Sequence, residues 1–340
     1  MVPPSEENDL ATAWRALADL ANTKDGWQTI PVVTRLSCRL LAARHFPGNE
    51  EAILIGFRSP NIFSSQQLPE GSGFLVLLVD PGPDLYDCKW IALLRQPTGS
   101  LEIFTMMTAD IISTLEASEG MDDDSLLRIF IARIRAWQSF MQRVRDGVLS
   151  AEAEIGLHGE LIVLTSILKA GALPHKVIEA WRGPKNGLQD FQFHTGAIEV
   201  KATTSCSGFP ATISSLEQMD NHLVTPLYLA GVRVLRDESG KNLKERIEEI
   251  KELIGADGSL TASFEILLIH AGYSHLMSTR YPRRFIHSNT LIFPINDIFP
   301  KLTRGNVSPE ILKVQYQIDL DQLDCPSVSL GDILPSLGGL

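Results

Sequence analysis

Asp190, Glu199 and Lys201 are the residues of this chain whose types and spacing are best suited to chemistry. They lie in the segment Gln-Asp-Phe-Gln-Phe-His-Thr-Gly-Ala-Ile-Glu-Val-Lys-Ala-Thr, residues 189–203. Strand side chains alternate between faces. A strand over 197–203 therefore puts Glu199 and Lys201 on one face, Ile198 and Val200 on the other. A carboxylate and an ammonium on an otherwise apolar strand are costly unless paired or bound to something. A hairpin closed by the two-residue loop Thr195-Gly196 sets His194 opposite Ala197, Gln192 opposite Glu199 and Asp190 opposite Lys201. Phe191 and Phe193 then join the core face. Asp190 shares the face of Glu199 and Lys201, diagonal to the glutamate and about 7–8 Å from it at Cα.

Two carboxylates at that separation can share a metal ion. Hard oxygen ligands select Mg²⁺, for which Mn²⁺ can substitute, and Mg²⁺ is usually held by one or two carboxylates plus water. Such an ion polarises a scissile phosphate and acidifies a bound water. Lys201 would orient that water and stabilise charge on the phosphoryl oxygens. Taken as bare residues, the pattern fits equally well a surface strand carrying an ordinary Glu–Lys pair.

The spacing Asp190-x8-Glu199-x-Lys201, closing a β-hairpin that follows a helix, resembles the PD-(D/E)XK nuclease superfamily. The runs Gly156-Leu157-His158-Gly159-Glu160-Leu161, Ile213-Ser214-Ser215-Leu216-Glu217-Gln218-Met219 and Tyr281-Pro282-Arg283-Arg284-Phe285 resemble a narrower prokaryotic group. That group is known as PD-(D/E)XK motif proteins and is associated with restriction and phage defence. The likeness covers about residues 150–320. It departs from the superfamily name at Gln189, where a proline is expected. It implies a restriction-endonuclease-like αβββαβ core, Mg²⁺-dependent DNA cleavage, and two further site residues. Glu160 matches an acidic position on the first core helix, a third metal ligand. Gln218 matches a polar residue after the catalytic strand. His158 and His194 read as structural histidines.

A second constellation concerns nucleic acid. Residues 276–313 carry six basic residues (Arg280, Arg283, Arg284, Lys301, Arg304, Lys313) against two acids. Tyr281 and Phe285 interleave with them. Arginine forks suit phosphates and base edges, and aromatic rings suit stacking. Arg280, Arg283, Arg284 and Arg304 are thus candidate DNA contacts. The competing reading is ordinary surface charge around two core aromatics.

The elements that must position these groups are legible as patterns. Residues 9–22 have helical periodicity, with Leu10, Trp14, Leu17 and Leu20 on one stripe. Strand-like runs follow at 30–41, 52–57, 73–79 and 89–95, separated by turn residues. Residues 125–145 read as a long amphipathic helix with Arg128, Arg133, Arg135, Arg143 and Arg145 on a face read as solvated rather than phosphate-binding. Asp146-Gly147 ends it and divides a 1–146 α+β domain of unknown role from a 147–340 nuclease-like domain. The second half opens with a helix capped by Ser150, with Glu152 and Glu154 in its first turn, and ended by Gly171. Strands at 177–181, 188–194 and 197–203, a mixed segment at 211–220, a strand at 227–235 and a helix at 242–254 complete an α/β layered core.

Composition bounds the alternatives. The chain has 340 residues, 44% hydrophobic and 21% charged, which are globular values. A net charge of -11 argues against a nucleic-acid coat protein, which binds through an overall basic field. It does not exclude a nuclease with a local basic groove. Cys38, Cys88, Cys206 and Cys325 have no metal-ligand spacing and read as reduced thiols of a cytoplasmic protein. The first residues lack the pattern of a signal peptide, and the longest apolar run, near 74–79, is too short to span a bilayer. The expected partners are DNA and either a second copy or the subunits of a defence system, with no membrane. The alternative function is a non-catalytic nucleic-acid-binding or assembly subunit that keeps the nuclease fold.

Overall fold

A computed structural model describes residues 4–18, 25–32, 38–58, 68–71, 73–82, 88–118, 120–144 and 148–338. They fall into two units, Met1–Gln142 and Arg143–Leu340. The expected boundary at Asp146-Gly147 lies outside the described residues, as do residues 19–22 of the first expected helix, and Arg145.

In the first unit, helix α1 (Pro4–Ala18) precedes strands β1 (Gly26–Pro31), β2 (Arg39–Phe46), β3 (Glu50–Phe57), β4 (Glu70–Gly71), β5 (Phe74–Val79) and β6 (Lys89–Arg95). They form one antiparallel sheet in the order β1-β2-β3-β6-β5-β4. Trp14 of α1 is buried and donates from Nε1 to the Ala52 carbonyl at 2.8 Å. Buried Glu51 takes Arg44 on one oxygen and Arg95 on the other. Helices α2 (Leu101–Glu116) and α3 (Asp123–Arg143) complete the unit, the last residue of α3, Arg143, belonging to the second. Arg133 of α3 is buried in a bidentate pair with Asp110. It belongs to the core rather than to the solvated face expected for it.

The second unit carries the segment of interest. Helix α4 (Ala151–Lys169) starts at Ser150, whose side chain accepts from the Ala153 amide, and Gly171 follows its end with φ +94°. Next come α5 (Pro174–Ala180), a 3₁₀ turn (Gly183–Lys185), β7 (Phe191–Gln192), β8 (Ala197–Thr203), β9 (Pro210–Ile213) and β10 (Leu227–Lys241). Helices α6 (Leu243–Ile254) and α7 (Gly258–His270), strands β11 (Phe285–Pro294) and β12 (Tyr316–Asp319), and α8 (Leu330–Ile333) follow. The main sheet has the order β11-β10-β8-β7, with β8 parallel to β10.

Helix α4 lies against one face of this sheet, where a Cβ on Gly159 would stand only 2.7 Å from the Ala202 Cβ. The other face packs on the β9–β12 pair through Ala197, Leu227, Leu229, Phe209, Ile213 and Ile318. Glu199 and Lys201 share the Ala197 face of β8, so they enter a covered layer rather than open solvent.

Three expectations are revised. Residues 177–180 belong to α5 and not to a strand; Pro174 at its first turn presets a helical φ, and only the extended C-cap Trp181 bridges to Phe191. The 211–220 segment holds β9, paired with β12 outside the main sheet. The hairpin register is Gln192 opposite Ala197 and Phe191 opposite Ile198, two residues from that expected. A shift of two preserves the faces and brings Asp190 level with Glu199.

Candidate active site

Glu199 is the buried centre of the arrangement, with 2% of its surface exposed. Its Oε1 lies 2.7 Å from Lys201 Nζ, two residues along the same strand face. Gln218 Nε2 donates to the same oxygen at 2.9 Å, and Gln218 Oε1 accepts from the Ser214 amide at 2.8 Å. Gln218 is thereby fixed as a bridge between the loop after β9 and the glutamate. Glu199 Oε2 is buried with no hydrogen-bond partner among the described residues.

Asp190 precedes the short edge strand β7. Its Oδ2 accepts from the Val200 amide at 2.7 Å, a backbone donor of β8 that β7 does not reach. Its own carbonyl accepts from the Arg182 and Gly183 amides at 2.8 and 3.0 Å. Glu160 comes from α4, and its Oε2 accepts from Trp181 Nε1 at 2.7 Å. The two carboxylates converge on Gly183: a Cβ there would stand 2.7 Å from Asp190 Oδ1 and 2.7 Å from Glu160 Oε2. Glu160, Asp190 and Lys201 are half-buried, so the cluster is reached from solvent. Arg143 closes one side. Its Nη2 donates to the Pro184 carbonyl at 2.9 Å and to Asn186 Oδ1 at 2.7 Å.

The electrostatics follow from crowding three carboxylates in a poorly solvated place. Burial, then Asp190, lift the Glu160 carboxyl well above its ordinary range, against the Trp181 hydrogen bond and Arg143. Burial also raises Asp190, opposed by the Val200 amide, Lys201 and Arg143. Burial and Asp190 push Glu199 up to about 8 despite Lys201. Burial alone would lower Lys201, but Glu199, Asp190 and Glu160 outweigh it and hold the ammonium above the ordinary lysine value. Ionised together, the three carboxylates carry more negative charge than Lys201 and Arg143 balance, and the raised values mean that without a further cation the cluster takes up protons instead.

That excess, the unpartnered Glu199 Oε2 and the all-oxygen donor set fit a hard divalent cation. Among the described residues no three His, Cys, Asp or Glu side chains stand ready to enclose an ion. The fit is thus to an ion held by one or two carboxylates and otherwise by water, the habit of Mg²⁺.

The remaining candidates are placed elsewhere. Arg283 pairs with buried Glu154, and Arg284 makes two bonds to Glu245 at 2.8 and 2.7 Å. Arg304 bonds Glu217 at 2.9 Å and the carbonyls of Ile311 and Leu312. Arg280 ends the 3₁₀ turn His275–Arg280. The segment is therefore not a row of unopposed cations, and Tyr281 and Phe285 are 2% exposed core residues, not stacking platforms. His158 is buried, accepts from Arg246 Nε at 2.8 Å on Nδ1 and packs T-shaped on Phe285, a structural role. His194 is exposed in the hairpin loop. Sequence reasoning missed Trp181, Gly183 and Asn186, and saw Arg143 only as one charge of a helix face. The turn residues Gly183-Pro184-Lys185-Asn186-Gly187 were the available signal.

A family model described as "Putative PD-(D/E)XK family member, (DUF4420)" matches residues 10–321. No curated protein and no solved structure matches the chain.

Proposed function

The chain belongs to the DUF4420 family of the PD-(D/E)XK superfamily, and on that premise we propose that it is a divalent-metal-dependent nuclease that hydrolyses phosphodiester bonds of DNA. The observation that carries this reading is the meeting of Glu160 and Asp190 on Gly183, beside the buried Glu199–Lys201 pair. Crowding carboxylates in one poorly solvated place is costly in ordinary folding, whereas a bound divalent cation offsets that cost.

Asp190 would hold the cation together with Glu199 Oε2 or Glu160, and water would complete its shell. Trp181 fixes the Glu160 carboxylate, and the Val200 amide fixes that of Asp190, so neither must reorganise on binding. A divalent cation in that place supplies Lewis acidity to phosphoryl oxygens and acidifies water. Lys201, held by Glu199, directs an ammonium proton toward the attacking water and balances charge developing on the phosphoryl oxygens. Gln218 keeps Glu199 in position from the opposite side.

Mg²⁺ as the ion, with Mn²⁺ substituting, DNA as the substrate, and a place in prokaryotic restriction or phage defence belong to this proposal. They are supported by the donor chemistry and by the resemblance to restriction enzymes. The test is nicking or linearisation of supercoiled plasmid by the purified chain. Cleavage is expected with Mg²⁺ or Mn²⁺ and not with a chelator. A protein that binds DNA yet never cuts it, with either metal and any partner subunit added, would instead be a non-catalytic member of the family.

A further inference from the structure

A cavity of about 250 Å³ adjoins the carboxylate cluster, lined by Arg143, Leu149, Ala153, Gly156, Leu157, Glu160, Pro184 and Ala271. We propose that it is a subsite for one nucleoside of the substrate strand beside the scissile bond, with Arg143 engaging that nucleoside's phosphate. The inference rests on the nuclease reading of the neighbouring carboxylates.

Glu160 belongs both to the cluster and to the cavity wall, so whatever fills the cavity lies next to the reacting centre. Besides Glu160 and Arg143, the lining residues carry apolar side chains or none. Gly156 contributes no side chain, and a Cβ placed on it would meet nothing within 4 Å. The volume is below the roughly 300–1,000 Å³ of sites that enclose larger ligands; it suits a single flat base.

Arg143 supplies the complementary half. Its Nη2 is tied to the turn at Gly183, Pro184 and Asn186. Nε and Nη1 have no hydrogen-bond partner among the described residues. Burial pulls its guanidinium down while Glu160 and Asp190 hold it up, and a guanidinium remains charged in any case. With Nη2 engaged, Nε–H and Nη1–H point to opposite edges of the guanidinium, so Arg143 offers a phosphate one charge-assisted bond rather than a bidentate fork. Next to Ala271, His270 has a buried Nδ1 without a partner among the described residues. Burial, Lys185 and Arg143 lower it to about 4. Its neutral ring therefore brings no further charge to the subsite.

The experiment measures fluorescence anisotropy of a labelled, short single-stranded DNA oligonucleotide on the full chain, with chelator present so that no strand is cut. Gly156→Phe fills the cavity from a helix position with open space, and Ala153→Phe does so from the next turn. Arg143→Ala removes the guanidinium; Arg143→Lys keeps the charge alone. Gly258→Phe, at another unobstructed glycine, is the control, and thermal melting checks that each variant folds. Both cavity-filling variants and Arg143→Ala should weaken binding about tenfold or more. Arg143→Lys should recover part of that loss, and the control should bind as wild type. Deoxyadenosine monophosphate should compete with the oligonucleotide on wild type more strongly than deoxyribose 5-phosphate does, and the difference should vanish in Gly156→Phe. Cleaving wild type with unchanged affinity in the folded variants would overturn the subsite and leave the nuclease reading standing. Wild type that never cleaves, but loses affinity in these variants, would overturn the nuclease reading and keep a nucleotide subsite. Wild type that binds no oligonucleotide and no monophosphate overturns the subsite outright.

Discussion

Gly183 carries no side chain because two carboxylates occupy the space where one would stand. Its φ is not in the left-handed region, so an alanine methyl would meet the movable carboxylate ends of Asp190 and Glu160 rather than a strained backbone. Gly183→Ala should push those oxygens apart and reduce Mn²⁺ affinity about tenfold with little change in melting temperature, as read by isothermal titration and thermal scans; unchanged affinity would show that the two oxygens do not act together. His158 offers a separate test, of stability. Burial, then Arg246 and Arg283, depress its pKa to about 3, against about 6.5 in an unfolded chain. The fold therefore favours the neutral ring. Its contribution is complete above the unfolded value and is lost as pH falls toward the folded one, because only the unfolded chain takes up the proton. Near pH 5 this amounts to about 2 kcal/mol. Urea midpoints at neutral pH and near pH 5 should differ less in His158→Gln than in wild type.

At the scale of elements, the contact of α4 with β8 sets the distance between Glu160 and the strand residues. Gly159 and Ala202 meet where a Cβ pair would be 2.7 Å apart. Gly159→Val should cost about 1–3 kcal/mol by overpacking. Gly159→Ala should be partly offset by Ala202→Gly, a coupling that a double-mutant cycle in urea would measure. Additive costs would mean that the helix accommodates the methyl without displacement. The same elements show what the sequence could tell. The alternation Ile198-Glu199-Val200-Lys201 located β8 and its two faces. Ser150 and Gly171 bounded α4, and apolar runs marked β3, β5 and β6. The hairpin register was two residues off because the loop spans 193–196, closed by a Phe193 amide bond to the Gly196 carbonyl at 2.8 Å, where two residues had sufficed on paper. Face assignment survived because the error was even. Residues 177–181 misled because Val177, Ile178 and Ala180 are apolar on either period, and Pro174 decided for helix. Helix α2, capped by Ser100, and α7, capped by Asp257, were not foreseen, since their apolar residues are not confined to a clear stripe. Arg143 is distant from the motif in sequence, whereas Trp181 and Gly183 lie just before it, and their joining depends on the turn folding back on Asp190.

For the whole molecule, the balance of charge decides how nucleic acid can be held. The net charge is -11, and Arg283, Arg284 and Arg304 are engaged by Glu154, Glu245 and Glu217. These three arginines are then not free to neutralise phosphates, so the dependence of DNA affinity on salt should be shallow, with Arg143→Ala lowering the log–log slope by about one. Arg283→Ala should act chiefly on stability, by about 3 kcal/mol, because it strands the buried Glu154 carboxylate; a large loss of DNA affinity at unchanged stability would return that arginine to the interface. The proposed chemistry divides its labour between the carboxylates, which hold the cation, and the lysine, which acts on water and phosphate. Metal titration by calorimetry beside plasmid cleavage, for Asp190→Ala, Glu199→Ala and Lys201→Ala, tests it most directly. The two acidic variants should lose both cleavage and metal affinity. Lys201→Ala should lose cleavage while binding metal as well as wild type or better, since a positive charge leaves the neighbourhood of the cation. Normal cleavage by Lys201→Ala, or metal binding indifferent to Asp190 and Glu199, would contradict the account.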